Sequence, residues 1–424
     1  MTTISDLSLD LVEKIVYRVP ITSIGAVRST CKLLNRLCKN RIWLYLEEKR
    51  HQFLGFMVKN YKLCLIKFYL HGILDEEEFV DPSIKEIIGD SLLNQVDVTK
   101  VFHCDGLLLC VTKDKEEVDR TSLVVWNPYL GQIRWIQRPR NNYDRLDSYA
   151  LGYDKKKNRK HKILRFLDDN IGNNVFTYEI YDFSSDSWRV LNITPDYDTT
   201  FFQRGVSLKG NAYFFATEKL RVVTEEEYTP EPHKFLICFD FTIESFGPPL
   251  PLPFNLYTGD TGTLSSLRDE KLAALYQCCD MAEVEIWVTT KIEEPNALSW
   301  IPFLRIDLEP FTGFDLQFQH DGASFFIEEE KKIAVVFHLD SSDQMTYYDS
   351  DHEDLIGENG SSEITCNDTA YIIGENGYFQ KVGLGEGVSD PSPLNFGEYC
   401  PLVCSSSYVP SLVQISHQFA GDNN

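Results

Sequence analysis

Residues 5–40 read SDLSLDLVEKIVYRVPITSIGAVRSTCKLLNRLCKN. In this stretch Leu11, Ile15 and Val19 recur at the spacing of one helical stripe, and Pro20 ends the segment. The pattern predicts a short amphipathic helix at the start of the chain.

Two further short helices are predicted directly after it. A helix capped by Thr22 or Ser23 would place Ile24 and Val27 on one face, and a third helix begins near Lys32. A module of roughly 40 residues without a metal or a disulfide seldom buries enough apolar surface to offset its chain entropy. We therefore expect these helices to pack on another surface, which would be a partner protein. The alternative is an ordinary helical cap on the domain that follows.

The order and spacing of these residues resemble the F-box. The matching positions are Leu7, Asp10, Leu11, Ile15, Val16, Arg18, Pro20, Val27, Arg28, Cys31, Lys32 and Leu37. Ser8 stands where the family prefers Pro, and Leu34 stands where it prefers Trp. Both departures are mild, because Ser is a good helix N-cap and Leu keeps an apolar contact.

The resemblance implies that the module binds the Skp-type adaptor of an SCF ubiquitin ligase and, through it, a cullin. The residues expected to face or shape that interface are Leu7, Leu11, Ile15, Val16, Pro20, Ile24, Val27, Cys31 and Leu34.

Charge is distributed unevenly along the 424 residues. The first 50 carry nine basic and five acidic residues, a net charge of +4, whereas the remainder carries 32 basic and 59 acidic residues, a net charge of −27. This division favours an acidic docking partner for the first module and disfavours nucleic acid as a partner of the rest. No leading segment joins a basic start to an unbroken apolar run, so we expect no membrane span and a cytoplasmic or nuclear location.

The eleven cysteines show no paired zinc-finger spacing. Those inside apolar, strand-like runs are predicted to be reduced and buried; they are Cys104, Cys110, Cys238, Cys278 and Cys279. We expect no bound metal and no cofactor.

Beyond about residue 100 the helical period gives way to short aromatic and β-branched runs separated by turn residues. An aromatic residue followed by Asn or Asp begins units at Trp126, Tyr181 and Phe239, and a looser copy begins at Trp287, in steps of 55, 58 and 48 residues. Such a period is typical of propeller blades and predicts about six of them. A pair of β-sandwiches is the alternative.

This region resembles the F-box-associated domain of plant F-box proteins. The likeness rests on residues 102–110 (FHCDGLLLC), on Trp126 to Trp135, on residues 152–154 before Lys162, and on Tyr181 with Trp188. The predicted organisation is an F-box at 1–48, a partly helical connector at 49–99, a β-propeller-like domain at 100–415 and a tail at 416–424. The fold class is therefore mainly β with a small N-terminal α module.

Strand order predicts where a target would bind. In a four-stranded meander the turns between strands two and three share one end with the links between blades, and the long loops 137–148, 193–204, 218–234 and 251–262 fall there. Aromatic and Arg side chains are common interface anchors. Those on these loops are Arg138, Arg140, Tyr143, Tyr197, Phe201, Phe202, Tyr228 and Tyr257. For each of these residues, packing between blades is an alternative of equal weight to target binding.

The sequence contains neither of two common catalytic motifs, His-Glu-x-x-His and Gly-x-Ser-x-Gly. The run Gly383, Gly385 and Gly387 has no helix behind it to receive a phosphate and is interpreted as a turn. We predict a non-enzymatic substrate receptor of an SCF ligase that holds an unknown target protein. The alternatives are a propeller enzyme or glycan-binding module with the helices as a cap, and an F-box adaptor without ligase activity.

Overall fold

The computed structural model describes residues 7–19, 27–28, 30–38, 52–69, 80–87, 96–113, 121–136, 147–156, 159–168, 176–195, 197–199, 205–218, 233–313, 316–318, 324–340, 364–389 and 408–415. Within these ranges, no helix has the length and apolar character needed to cross a bilayer.

The N-terminal helices form where the apolar period predicts them. Helix α1 spans Leu9–Arg18, and Ser8 caps it by accepting a hydrogen bond from the Leu11 N–H at 3.4 Å. Residues 27–28 and 30 are also helical, and helix α2 covers residues 32–38. Ser8 therefore replaces the Pro of the F-box pattern with a working cap.

The rest of the described chain is built from six antiparallel sheets, which we number as blades 1 to 6. Blade 1 contains β1 (Gln52–Lys59), β2 (Lys62–Tyr69) and β3 (Ser83–Glu86). Blade 2 contains β4 (Asp97–Cys104), β5 (Leu107–Lys113), β6 (Thr121–Asn127) and β7 (Gln132–Ile136). Blade 3 contains β8 (Ser148–Asp154), β9 (Lys160–Asp168), β10 (Phe176–Asp182) and β11 (Ser187–Leu191).

The last three blades follow the same meander. Blade 4 contains β12 (Tyr197–Thr199), β13 (Val206–Leu208), β14 (Asn211–Glu218), β15 (Lys234–Asp240) and β16 (Ser245–Phe246), and both β12 and β13 pair with β14. Blade 5 contains β17 (Thr261–Leu267), β18 (Lys271–Gln277), β19 (Glu283–Thr289) and β20 (Trp300–Asp307), followed by helix α3 (Glu309–Thr312). Blade 6 contains β21 (Ser324–Glu328), β22 (Ile333–Asp340), β23 (Ile364–Gly374) and β24 (Tyr378–Ser389).

Apolar side chains fill every seam between neighbouring blades. Five buried clusters join blades 1 and 2, 2 and 3, 3 and 4, 4 and 5, and 5 and 6. A sixth joins blade 6 to blade 1, where the Phe53 and Phe326 rings stack with centroids 3.6 Å apart. The ring is closed, and the fold is a six-bladed β-propeller. The predicted fold class is confirmed, and the alternative of a pair of β-sandwiches is wrong.

Strand β1, the first of blade 1, runs in the opposite direction from β4, the first strand of blade 2. The Val98 N–H at the start of β4 donates to the Tyr61 carbonyl after β1, at 2.8 Å. At the other end, Tyr408 donates its N–H to the Leu54 carbonyl at 2.6 Å and its hydroxyl to the Gly106 carbonyl at 3.3 Å. Strand β1 therefore runs in the direction of the second strand of a blade. The C-terminal part of the chain meets the free edge of β1, in the place that the first strand, β4, occupies in blade 2.

Residues 408–415, here called the C-terminal strap, cross one end of blade 2. Asn127 holds the strap by donating its Nδ2–H to the Ser411 carbonyl at 3.2 Å and the Val413 carbonyl at 2.7 Å. The Ile415 N–H donates to Gln132 Oε1 at 3.1 Å. The C-terminal strap is therefore hydrogen-bonded to blade 2.

Two predictions are corrected by the strands. The region 49–99, predicted as a partly helical connector, contains β1, β2 and β3. Its two alternating runs are joined by Asn60 and Tyr61, which adopt positive φ without the Gly or Pro that usually marks a tight turn. Gly383, Gly385 and Gly387 lie inside β24, and a register shift at 368–369 of β23 accommodates Gly385 at φ +90°.

Gly106 offers a test of the strap. It has φ +73°, and an added Cβ would lie 2.5 Å from the Ser411 Cβ and 2.6 Å from the Val409 carbonyl oxygen. Gly131 is the matched control, because it has φ +64° and no atom within 4 Å of an added Cβ. Both Ala variants incur a left-handed backbone cost of roughly 1–2 kcal/mol. Gly106→Ala is expected to lose about 1–3 kcal/mol more through overpacking.

Thermal unfolding of the two variants measures this difference. A Gly106→Ala midpoint no lower than that of Gly131→Ala would contradict close packing of the strap on blade 2.

Candidate functional site

Helix α1 presents an apolar stripe to solvent. Leu7, Leu11 and Ile15 are 37%, 49% and 41% exposed, whereas Val12 and Val16 on the other side of the helix are 0% and 2% exposed. Leu9 in the first turn is also exposed, although it is not among the predicted adaptor-facing residues. A helix of ten residues with apolar surface on two sides has one side buried in this chain and one available for a partner.

The buried side of the helices packs on the propeller. Val12, Val16 and Leu34 belong to the same apolar cluster as Leu54 of blade 1 and Trp126 of blade 2. The helices were expected to need another surface, and this chain supplies part of it.

Tyr129, in the turn between β6 and β7, is the polar centre of this contact. Its buried hydroxyl donates to the Cys38 carbonyl at the end of α2. The Arg28 guanidinium lies over the Tyr129 ring at 5.5 Å from the centroid, and its Nε donates to Asn35 Oδ1 at 3.1 Å. One tyrosine thus contacts two helical segments and fixes them against blade 2.

The predicted adaptor-facing residues fall into three groups. Leu7, Leu11 and Ile15 are exposed, Val27 and Cys31 are half-buried, and Val16 and Leu34 are buried against the propeller. Pro20 and Ile24 lie outside the described residues. The first group is available for direct contact, and the buried pair can act only by holding the helices in place.

Two of the predicted target-facing residues are described. Tyr257 is 52% exposed on the link before β17. Tyr197 is 8% exposed and packs edge-on against Phe235 and Phe246, as the alternative of blade packing requires. The others lie outside the described residues; they are Arg138, Arg140, Tyr143, Phe201, Phe202 and Tyr228.

A titratable cluster lies at the hairpin turns of blades 2 and 3. His161 Nε2 is 3.6 Å from Asp105 Oδ2, and Arg159 Nη1 is 3.3 Å from Asp105 Oδ1. Burial lowers the pKa of His161 to about 4 and raises the pKa of Asp105. The imidazole is neutral near pH 7 and only 3% exposed, so it is poorly placed to exchange protons with a substrate.

A second charged cluster is fully enclosed in blade 3. Arg165 is 0% exposed; its Nη2 lies 2.6 Å from Asp147 Oδ2 and its Nη1 lies 2.9 Å from Glu179 Oε2. Tyr149 also donates its hydroxyl to Asp147 at 3.1 Å. Because no part of the guanidinium reaches solvent, this cluster belongs to the core and not to a binding surface.

The cysteines divide differently from the prediction. Cys104, Cys110 and Cys238 are buried, but Cys278 is half-buried and Cys279 is exposed. The last two follow β18 in a short turn, where the chain has already left the sheet. One ligand atom from each, together with a carboxylate oxygen of Asp260, lie within 4.8 Å of one another. These three residues could hold a metal ion.

Removal of the Tyr129 hydroxyl should loosen the helices. Tyr129→Phe leaves the Cys38 carbonyl without this donor and is expected to cost about 1 kcal/mol at the contact. Limited proteolysis should then cut residues 27–38 faster than in the unaltered chain. Tyr257→Phe, at an exposed tyrosine far along the chain, should leave the rate unchanged. Equal rates for all three proteins would mean that the hydroxyl does not anchor α2.

Burial of His161 should make the fold sensitive to acid. The pKa is about 4 in the folded chain and 6.5 as a reference, so the unfolded chain binds the extra proton between these values. The stabilising contribution is complete above pH 6.5 and is lost as the pH falls toward 4, by about 3 kcal/mol. His161→Gln should flatten the fall in unfolding free energy over that range, with Asp105 and Arg159 still present. An unchanged slope in the variant would contradict a buried neutral imidazole.

Comparison with known proteins gives the family. Residues 4–44 match the family model described as the F-box domain, and residues 54–415 match the model described as the F-box associated beta propeller domain. The second match begins inside β1, in agreement with the corrected boundary of the propeller.

Two relatives match this chain over nearly its whole length. The Arabidopsis thaliana F-box protein At3g20030 is 56% identical, and the match covers 98% of this chain and 97% of that protein. The F-box/kelch-repeat protein At3g13680 of the same plant is 48% identical over 98% of this chain and 97% of its own length. A solved post-proline cleaving enzyme from Rickettsia typhi aligns with 88% of this chain and 57% of its own, at 11% identity and a TM-score of 0.36. The chain belongs to the F-box proteins in which an N-terminal F-box precedes an F-box-associated propeller.

Proposed function

We propose that this protein is the substrate-recognition subunit of an SCF ubiquitin ligase in the cytoplasm or nucleus. Its F-box would bind a Skp-type adaptor, and through it a cullin, while the propeller would hold a target protein. The observation that carries the proposal is the exposed apolar surface of Leu11 and Ile15 on a helix whose opposite side is already buried, extended by Leu7 just before the helix cap.

The charge distribution supports an acidic adaptor. The first 50 residues carry a net charge of +4, against −27 for the rest of the chain. A basic module on an acidic body orients an incoming acidic partner toward the helices and away from the propeller.

No catalytic group of this chain is required by the proposal. A receptor that holds its target near the charged ubiquitin-conjugating enzyme raises the effective concentration of the target's lysines. Such a receptor benefits from a fixed geometry between its two binding surfaces. The contact of Tyr129 with Cys38 supplies that geometry between the helices and blade 2.

The exposed stripe can be tested by charge substitution. In a pull-down of the full chain with adaptor and cullin, Leu11→Asp combined with Ile15→Asp should weaken binding at least about 100-fold. Each lost apolar contact is worth roughly 1.5–3 kcal/mol, and 1.4 kcal/mol corresponds to a factor of ten.

A matched control separates docking from folding. Ile243→Asp with Ile301→Asp makes the same chemical change at two side chains of the propeller that are 66% and 52% exposed, and should keep full adaptor binding. Undiminished binding by the Leu11 and Ile15 double variant would refute the assignment of the stripe. Loss of binding in both double variants would refute it as well.

A further inference from the structure

Two neighbouring cysteines face a buried carboxylate on blade 5. Asp260, the residue before β17, is 4% exposed, while Cys278 is half-buried and Cys279 is exposed in the turn after β18. The two thiol sulfurs and one Asp260 oxygen all lie within 4.8 Å of one another. Three potential metal ligands thus converge from two separate segments of the chain.

The carboxylate is held in a defined orientation. Asp260 Oδ2 accepts hydrogen bonds from the Tyr257 N–H at 3.0 Å and the Tyr276 hydroxyl at 3.2 Å, and Oδ1 accepts one from the Cys279 N–H at 3.0 Å. Phe254 stacks on the Tyr276 ring with centroids 4.6 Å apart. The Cys279 side chain also hydrogen-bonds to Asp260, so the carboxylate already faces that thiol. Outer hydrogen bonds of this kind orient the ligands of metal sites.

The ligand set indicates the class of ion. Two sulfurs and one carboxylate oxygen suit a borderline-soft divalent cation such as Zn²⁺ and are a poor match for Mg²⁺ or Ca²⁺. Tetrahedral zinc has Zn–S distances of about 2.3 Å and Zn–O distances of about 2.0–2.2 Å, which place its ligand atoms about 3.5–3.8 Å apart. Shifts of about 1 Å would bring the three atoms to that spacing, and Cys279 is exposed enough to make such a shift.

We propose that Cys278, Cys279 and Asp260 bind a zinc-class divalent cation, with the fourth coordination position open to solvent. Two thiolates and one carboxylate carry three negative charges, of which the ion neutralises two. The bound ion joins the link before β17 to the turn after β18, and that link carries the exposed Tyr257. The inference goes beyond the proposed ligase role and does not depend on it.

Cobalt(II) is the probe for this site. Titration of Co²⁺ into the reduced full-length chain should produce thiolate-to-cobalt charge-transfer absorption and the visible bands of a tetrahedral ion, and Zn²⁺ should displace it. Cys278→Ser and Cys279→Ser should each abolish the charge-transfer signal. Tyr276→Phe removes an orienting hydrogen bond and should weaken binding about tenfold. Cys64→Ala, a change of a buried cysteine on blade 1, is the control and should bind as the unaltered chain does.

Thermal unfolding distinguishes a variant that has lost metal binding from one that has misfolded. Cys279→Ser changes an exposed side chain and should unfold at the unaltered midpoint in the absence of metal. Added Zn²⁺ should raise the midpoint of the unaltered chain but not that of Cys279→Ser. A chain that gives no charge-transfer signal, or one whose signal persists in both serine variants, would overturn the proposal. The thiols would then serve only as hydrogen-bond donors of the turn.

Discussion

The contact of the N-terminal helices with blades 1 and 2 is the interaction on which the rest of this structure depends. A few short helical turns cannot enclose a core of their own. Here Val12, Val16 and Leu34 complete the apolar cluster of the first seam, and the Tyr129 hydroxyl meets the carbonyl at the end of α2. Because one side of α1 is committed to the propeller, the other side is left as an apolar surface. Folding and partner binding thus use opposite sides of one helix.

The C-terminal part of the chain meets the propeller at the same seam, between blades 1 and 2. Blade 1 begins with a strand that runs opposite to β4, and Tyr408 meets its free edge at Leu54. The strap then crosses blade 2 at Asn127, which also accepts a hydrogen bond from the Tyr129 N–H in the turn after β6. Tyr408 also belongs to the apolar cluster that includes Val12 and Val16. Both ends of the described chain therefore contribute to one seam.

Much of the fold could be predicted from the sequence because its apolar and aromatic residues recur at regular spacings. The aromatic residues of the predicted repeat all fall in the third strand of a blade: Trp126 in β6, Tyr181 in β10, Phe239 in β15 and Trp287 in β19. Strands β1 to β3 were missed because Asn60 and Tyr61 turn the chain without Gly or Pro. The glycines of β24 suggested a turn, since a bulge depends on the partner strand and is not visible in one strand's sequence.

The functional surfaces were harder to predict than the strands. Both stripes of α1 are apolar, and only the packing of the propeller decides that Val16 is buried and Ile15 is exposed. Cys278 and Cys279 continue an apolar run, so they were predicted to be buried, but β18 ends one residue earlier. Their proximity to Asp260 arises from the meeting of two blade connections, which no local pattern encodes.

Amide hydrogen exchange of residues 9–18, measured in the full chain and in an isolated segment 1–51, shows directly whether α1 depends on the propeller. Slow exchange of α1 is expected in the full chain. Near-unfolded exchange is expected in the isolated segment, since the apolar surface of blades 1 and 2 is then missing. Equal protection in both would contradict this dependence, because the helices would then be stable without the propeller.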